Sequence, residues 1–229
     1  MVSCDWSSDV CSSDLRIASF YERAGLVRLR DGSVGSVTIG GAVSPAGGNF
    51  EEPVTQATLK VVGAFHGLSR ERSDSRRYPA IDPLLSWSKY KSFHDDKQEE
   101  KGHYILRRSN EIYQMMKVIG EEGTSLKDYI DYLKGEFFDY SYLQQNAFDK
   151  VDEATPQERQ VYVFNFIYEI LDSDFSLENK EKALHFFQQL RQLMRTWNSC
   201  QWGTEEFKRI EEELSLLLEE NRERVKSNA

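Results

Sequence analysis

Residues 36–85 read SVTIGGAVSPAGGNFEEPVTQATLKVVGAFHGLSRERSDSRRYPAIDPLL and hold four of the chain's five prolines. Short β-branched runs set between prolines and glycines are typical of strands joined by tight turns. From about Asp95 onward the sequence changes to long, charged, aromatic-rich helical patterns. The stretch therefore predicts the end of an α/β domain near Leu85, facing the start of a helical domain.

The overall composition limits the classes of function. The chain has 229 residues, enough for one or two domains, and a formal net charge of -9. This acidity argues against a nucleic-acid binder, because affinity for phosphate backbones comes from clustered Lys and Arg. No apolar run approaches the roughly 20 residues that span a bilayer, so we expect membrane association only through partner proteins. The three cysteines and four histidines are too scattered for a disulfide scaffold or a metal site, which predicts a reducing, cytosolic compartment.

The first 15 residues read MVSCDWSSDVCSSDL. They are too polar for a signal peptide and lack its basic start. The segment Cys-Ser-Ser-Asp-Leu resembles one translated frame of a common sequencing adapter. We hypothesise that residues 1–15 are an assembly artefact and that the natural sequence resumes at about Arg16, with a disordered native N-terminus as the alternative.

Helical spacing of apolar residues predicts a short helix over residues 16–24, ended by Gly25. Two strands are predicted over residues 26–29 and 33–43, joined by a hairpin turn at Asp31-Gly32, and the second is apolar enough to be buried. Pro53 suits the first turn of a helix, whose apolar side is predicted to comprise Val54, Ala57, Leu59, Val61 and Val62.

Start and stop signals divide the remaining sequence into helices. Gly120 ends the first, and Ser125 with Asp128 caps a second that is predicted to reach Phe148. Thr155-Pro156-Gln157-Glu158 predicts the start of a third, with Thr155 as the N-cap. Two more helices are predicted over residues 177–197 and 204–226. For Met115, Met116 and the aromatic residues between Tyr162 and Tyr168, helical spacing favours core packing over a cofactor role.

Local catalytic motifs are absent from the sequence. The glycine pairs at positions 40–41 and 47–48 are not followed by the lysine of a phosphate-binding loop, and no H-E-x-x-H, C-x-x-C or G-x-S-x-G occurs. We therefore assign no catalytic residue and no metal ligand. Composition and spacing alone indicate an α/β piece followed by a helical bundle.

Four segments carry a resemblance to a known family. They read RIASFYERAG, GSVTIGGAVSPAGGNFEEPVTQATLKVV, RRYPAIDPLLSWSKY and YLQQNAFDKVD. In the same order, they resemble the catalytic A subunit of V-type, or A-type, rotary ATPases and ATP synthases. The segment YPAIDP with SWSKY is most similar to the bacterial branch of that family.

This resemblance implies an α+β chain in three parts: a lead over 1–15, the end of a P-loop (RecA-like) nucleotide-binding domain over 16–93, and an all-α helical bundle over 94–229. It also implies that the phosphate loop, the catalytic glutamate and the Mg²⁺-supporting aspartate lie upstream of Arg16. The full-length subunit would bind ATP or ADP with Mg²⁺. This chain alone is expected to bind no nucleotide tightly and to be inactive.

The resemblance also assigns residues to two sites. Tyr78 falls where the family stacks an aromatic on adenine, and the other side of that pocket corresponds to Gln145, Asn146, Ala147 and Phe148. Without the resemblance, Tyr78 would be an ordinary half-buried strand tyrosine and Phe148 a helix-core residue.

A second site is implied at the loop formed by Pro45, Ala46, Gly47, Gly48 and Asn49, which resembles the family's loop facing the central rotor stalk. Asn49 stands where many members have Asp. The segment LSRERSDS at 68–75 departs from the pattern of relatives, so no role is assigned to it.

The implied function is coupling of ATP hydrolysis or synthesis to H⁺ or Na⁺ transport. The implied partners are non-catalytic B subunits in an alternating hexamer and the central rotor stalk, at the inner face of the cell membrane and without nucleic acid. Two alternatives remain open: a free-standing helical module that binds another protein, and a related non-catalytic rotary subunit or export ATPase.

Overall fold

The computed structural model describes residues 16–222, except for the side chain of Ala46. The predicted lead segment at 1–15, with Cys4 and Cys11, and the predicted helical end at 223–226 lie outside the described residues. The described residues form two compact units: one comprises the chain up to Phe65 together with Ser88–Tyr90, and the other comprises His66–Trp87 and the chain from Lys91 onward.

Within the described part of the first unit, helix α1 covers residues 16–21. An antiparallel hairpin of β1 (Gly25–Arg28) and β2 (Val34–Val37) follows, in which Gly25 pairs with Val37. Next come a 3₁₀ turn (Ala46–Gly48), helix α2 (Pro53–Val61) and strand β3 (Ala64–Phe65). The hairpin turn is confirmed, since Gly32 has a φ of 87°, a left-handed conformation that glycine adopts without strain.

Three predictions for this unit are wrong. Helix α1 ends at residue 21 rather than 24, and Gly25 is the first residue of β1. The second strand covers only Val34–Val37, and its two valines are exposed because no described element covers the hairpin. Helix α2 begins at Pro53 as predicted, but the predicted apolar side is not the buried one. Its buried residues are Thr55 and Thr58, whereas Val54 is 38% exposed.

In the second unit, a short helix α3 (Arg70–Asp74) precedes strand β4 (Trp87–Ser88), whose last residue belongs to the first unit. Five longer helices follow: α4 (Asp96–Ile119), α5 (Leu126–Phe138), α6 (Gln157–Asp172), α7 (Lys180–Ser199) and α8 (Glu205–Asn221). A π-helical turn (Asp139–Leu143) extends α5. The predicted α+β chain with a helical second part is confirmed.

The core of the second unit lies among α5, α6, α7 and α8. Trp197 is fully buried and stacks on Phe207 of α8 with ring centroids 4.8 Å apart. Around it the side chains with no more than 1% exposure include Phe137, Ile167, Phe187, Leu190, Met194 and Leu214. Of the aromatic residues between Tyr162 and Tyr168, Phe164 is buried and Phe166 packs against the core, as predicted.

Local capping signals mark some helix ends correctly and others incorrectly. The Ser125 hydroxyl accepts the Asp128 amide hydrogen at the start of α5, and Gly120 has a φ of 79° after α4, as predicted. Thr155 is not the N-cap of α6, because the helix begins at Gln157 with Pro156 in the cap position. The Thr155 hydroxyl instead donates to the Asp152 carbonyl at 3.4 Å.

Two residues predicted to pack in the core are instead partly exposed. Met115 is 38% exposed and Tyr162 is 41% exposed, whereas their neighbours Met116 and Val163 pack against or within the core. Each lies just outside the apolar side of its helix, because a helix buries one stripe of residues rather than every apolar side chain.

Candidate nucleotide-binding site

Tyr78 lies at a bend, with a cis peptide bond to Pro79, directly before a segment that is held by backbone pairing. Ile81 forms an antiparallel bridge with Leu68, and the Ser69 amide donates to the Ala80 carbonyl at 2.8 Å. The Tyr78 side chain is 52% exposed, so one part of the ring is free to contact a ligand.

The structure brings Tyr78 together with the other segment assigned to the base. The Gln145 amide donates to the Tyr78 carbonyl at 2.8 Å. Both residues belong to the second unit, although they are far apart in sequence. The pairing supports the grouping that the resemblance implied.

The loop that contains Gln145–Phe148 is not helical, so the predicted continuation of α5 to Phe148 is wrong. The π-helical turn ends at Leu143, and Gln144 adopts an extended backbone with φ −80° and ψ 131°. Beyond it the amides are satisfied outside a helix: the Asn146 amide donates to the Asp152 carboxylate at 2.6 Å. Burial raises the pKa of the Asp152 carboxyl, and the bond from the Asn146 amide partly opposes this.

Phe148 is 97% exposed and therefore not a helix-core residue. Its amide donates to the Asn146 side-chain oxygen at 3.1 Å, which folds the loop tightly around Ala147. A large apolar ring held almost entirely in solvent contributes little to packing. The loop thus presents an aromatic surface on the same unit as Tyr78.

A cluster of four ion-paired side chains lies beside these two segments. Arg72 forms a bidentate pair with Asp139, at 2.7 and 2.8 Å. Arg77 donates to Asp139 at 2.5 Å and to Glu136 at 2.8 Å. Sequence reasoning missed these residues because the carboxylates that pair with them lie on a distant helix. Nothing local in the segment LSRERSDS indicates such partners.

The predicted stalk-facing loop belongs to the first unit. The Gly48 amide donates to the Pro45 carbonyl at 3.1 Å, and Gly47 and Gly48 have φ values of 64° and 73°. The Asn49 side-chain oxygen accepts the Glu51 amide hydrogen at 3.0 Å. Asn49 thus orders the turn before α2 without carrying the charge of an aspartate.

The described part of the chain shows neither a metal-ligating nor a phosphate-binding pattern. Residues 16–222 contain no group of three or more His, Cys, Asp or Glu side chains that could hold a metal ion. The whole sequence contains no phosphate-loop motif. The rings of Tyr78 and Phe148 are both exposed on the second unit.

Each helix within residues 16–222 is too short or too polar to cross a membrane.

Two family profiles match the chain in succession. The profile described as ATP synthase alpha/beta family, nucleotide-binding domain, matches residues 11–88. The profile described as C-terminal domain of V and A type ATP synthase matches residues 96–184. The end of a nucleotide-binding domain is therefore followed by a helical C-terminal domain.

Similar curated proteins are V-type ATP synthase alpha chains of spirochaetes. The chain is 61% identical over 196 residues to that of Treponema denticola, which covers 86% of this chain and 33% of the relative. It is 58% identical over 202 residues to that of Borrelia turicatae, covering 88% of this chain and 35% of the relative. The chain thus spans about a third of the length of these curated relatives.

Among solved structures, the fold is similar to that of a protein described as a unique ATP synthase subunit, NeqB, from Nanoarcheaum equitans. The TM-score is 0.58 at 21% identity, over 71% of this chain and 40% of that one. At this identity the likeness concerns the fold alone. Taken with the two successive profiles and the identity to the spirochaete proteins, the chain belongs to the family of V-type ATP synthase alpha chains.

Proposed function

We propose that these residues supply the adenine pocket and the helical lever of a catalytic alpha chain that couples ATP hydrolysis or synthesis to H⁺ or Na⁺ transport. The observation that carries the proposal is the hydrogen bond between the Gln145 amide and the Tyr78 carbonyl, at 2.8 Å. It joins two segments, far apart in the sequence, that the family resemblance assigns to one base.

Base recognition in this proposal comes from stacking. Stacking of a base on an aromatic ring contributes about 1–3 kcal/mol of binding free energy without hydrogen bonds to the base edges. Tyr78 supplies one ring, and Gln145, Asn146, Ala147 and Phe148 close the opposite side. ATP or ADP is bound with Mg²⁺ in the complete subunit, where other residues hold the phosphates. The 229 residues alone bind nucleotide weakly, because stacking by itself provides only a small part of the affinity.

The proposed partners are the non-catalytic B subunits of an alternating hexamer and the central rotor stalk. The loop Pro45–Asn49 is the proposed contact with the stalk, and the exposure of Gly47, Gly48 and Asn49 supports this role. The complex would place the chain in the cytoplasm at the inner face of the cell membrane. We propose domain limits of 1–15, 16–93 and 94–229 for the lead, the nucleotide-binding part and the helical part.

Identity to alpha chains, at 61% for the Treponema denticola protein, supports this function over a free-standing interaction module or a non-catalytic subunit. No feature of the described residues favours either alternative.

Two linked measurements test the proposal. The purified 229-residue chain is expected to show no Mg-ATP turnover. In the complete alpha chain, assembled with its partner subunits, Tyr78→Ala is expected to raise the KM for ATP about 5- to 150-fold, the range that corresponds to lost stacking. If the 229-residue chain hydrolyses Mg-ATP and Tyr78→Ala abolishes that activity, the expectation that this chain is inactive alone is contradicted. An unchanged KM in the complex would contradict the base site.

A further inference from the structure

The Arg72, Arg77, Glu136 and Asp139 side chains form a compact charge-balanced cluster. Both Asp139 carboxylate oxygens accept hydrogen bonds from Arg72, and one of them also accepts from Arg77. Both Glu136 oxygens accept hydrogen bonds from Arg77, at 2.8 and 3.3 Å. Two guanidinium groups and two carboxylates thus meet in five hydrogen bonds, a geometry that fixes direction as well as charge.

The cluster is shielded from water. The Asp139 side chain is 7% exposed and that of Arg72 is 12% exposed, whereas Glu136 and Arg77 are 23% and 21% exposed. The Arg77 guanidinium also lies 4.6 Å from the centre of the Tyr140 ring, against which Arg191 packs at 3.8 Å. Shielded pairs of this kind are weakened much less by salt than exposed ones.

Each half of the cluster is connected through the backbone to one side of the candidate base site. Arg77 is the residue directly before Tyr78. Asp139 starts the π-helical turn, and its carbonyl accepts the Gln144 amide hydrogen at 2.9 Å, one residue before Gln145. The side-chain pairs and the bond between Gln145 and Tyr78 therefore close a ring of contacts around the junction of the two segments.

We propose that Arg72 and Arg77 are positioning residues for the base. By pairing with Asp139 and Glu136 they hold the Tyr78 segment against the loop of Gln145–Phe148, so that both sides of the base site keep one spacing. This inference rests on the proposed function, since it assumes that Tyr78 contacts the base.

The first experiment measures positioning without nucleotide. Hydrogen exchange is followed by mass spectrometry on the complete alpha chain in its complex, for peptides that cover residues 144–152. With Asp139→Asn we expect exchange in these peptides to be about fivefold faster or more, a typical size for coupling between sites. The matched control is Asp172→Asn, which removes an aspartate from the exposed pair with Lys101 elsewhere on the bundle and should leave these peptides unchanged.

Two milder variants are used if Asp139→Asn fails to fold or assemble. Glu136→Gln removes the more exposed carboxylate, and Arg77→Lys keeps the charge but loses the planar fork of donors. Both should speed exchange in the same peptides to a smaller extent. Unchanged exchange in all folded variants overturns the proposal.

The second experiment uses kinetics to separate positioning from general damage. In Asp139→Asn or Glu136→Gln we expect the KM for ATP to rise about fivefold or more, with kcat within about twofold of the parent. The inhibition constant of inorganic tripolyphosphate, which has no base, should stay unchanged. Equal losses for ATP and tripolyphosphate, or a fall in kcat with constant KM, overturn the proposal.

Failure of the proposed function gives a different result. If Tyr78→Ala leaves the KM for ATP unchanged while Asp139→Asn speeds exchange at residues 144–152, the base site is wrong but the ion pairs do position the loop. If Tyr78→Ala raises the KM and no cluster variant affects exchange, the base site stands and the positioning role is overturned.

Discussion

The Tyr78 carbonyl and the Gln145 amide are joined by a 2.8 Å hydrogen bond that links the segment after α3 to the loop after α5. The bond joins the two backbones, whereas the side chains of Tyr78 and Phe148 are 52% and 97% exposed. Exposed rings on an ordered backbone can be altered without emptying the core. Binding and folding can therefore be measured separately at this site.

Phe148→Ala should weaken nucleotide binding without weakening the fold. Because the ring is almost fully exposed, the free energy of unfolding of the 229-residue chain should change by less than about 0.5 kcal/mol. In the complete alpha chain, the KM for ATP should rise about 5-fold or more if the ring closes the base site. Urea unfolding and steady-state kinetics provide the two measurements, and a large loss of stability would show that the ring packs.

Gly135→Ala should destabilise the helical unit even though alanine favours helices. A Cβ at Gly135 would overlap the Ser109 side chain of α4 and lie 3.4 Å from the Ile105 carbonyl. Overpacking of this kind costs about 1–3 kcal/mol, against a gain of about 1 kcal/mol in helix propensity. Urea unfolding followed by circular dichroism should show the net loss.

The double variant Ser109→Gly with Gly135→Ala is the control for this contact. Since the overlapping atoms belong to the Ser109 side chain, the cost of Gly135→Ala should be much smaller in the Ser109→Gly background. Equal costs in both backgrounds would mean that the two helices do not approach closely here.

Lys134→Met should destabilise the bundle by roughly 1–3 kcal/mol, the cost of leaving buried acceptors unpaired. The Lys134 ammonium is buried and donates to the Leu171 and Ser173 carbonyls, at 3.1 and 2.7 Å, at the C-terminal end of α6. Burial lowers the pKa of this ammonium, opposed chiefly by Asp131 and Asp174.

Lys182→Met is the matched control, because the Lys182 side chain is 58% exposed and pairs with Glu178, four residues earlier, at the surface. Loss of this surface ion pair should change the free energy of unfolding by less than about 0.5 kcal/mol. The comparison is made by urea unfolding at one pH, and equal effects of the two variants would contradict the capping role of Lys134.

Acidification should weaken the fold partly through His94. Burial lowers the pKa of this imidazole, partly opposed by the Glu99 carboxylate. The ring packs 4.3 Å from Phe164 and its Nε2 lies 3.0 Å from the Tyr142 hydroxyl. As the pH falls below the unfolded value of about 6.5, the unfolded chain takes up a proton before the folded one does. The free energy of unfolding therefore decreases as the pH falls below about 6.5. The decrease stops once the pH is below the pKa of His94 in the folded chain.

Urea unfolding between pH 7.5 and 5.5 tests this sign. The loss of stability should be smaller in His94→Gln than in the parent chain, since glutamine does not titrate. A steeper loss in the variant would mean that the folded protein prefers the protonated imidazole.

Helix ends show how far local sequence rules reach. Ser125 and Asp128 cap α5 and Pro53 opens α2 as predicted, because each signal acts between residues that are three or four positions apart. The end of α5 was predicted ten residues too late, because the loop around Gln145 makes its hydrogen bonds to Asp152 and Tyr78 instead of continuing the helix. Those partners are invisible to a rule that considers one turn at a time.

For the candidate base site too, the sequence predicts some features and the structure alone supplies others. Its side chains could be named from the motifs RRYPAIDP and YLQQNAFDKVD, since an ordered set of short segments is specific to a family. Their exposure and mutual hydrogen bond could not be read from those motifs. Arg72 illustrates this most clearly, because it lies in the segment LSRERSDS, to which no role was assigned.

The sequence by itself determined the family, the order of an α/β part and a helical part, and most helix starts, since composition, motif order and capping are properties of neighbouring residues. Tertiary structure decided that the hairpin valines are exposed, that α5 passes into a π-helical turn, and that Arg72 and Arg77 meet Asp139. The reason is physical: burial and ion pairing depend on distances between segments that the chain brings together only when it folds.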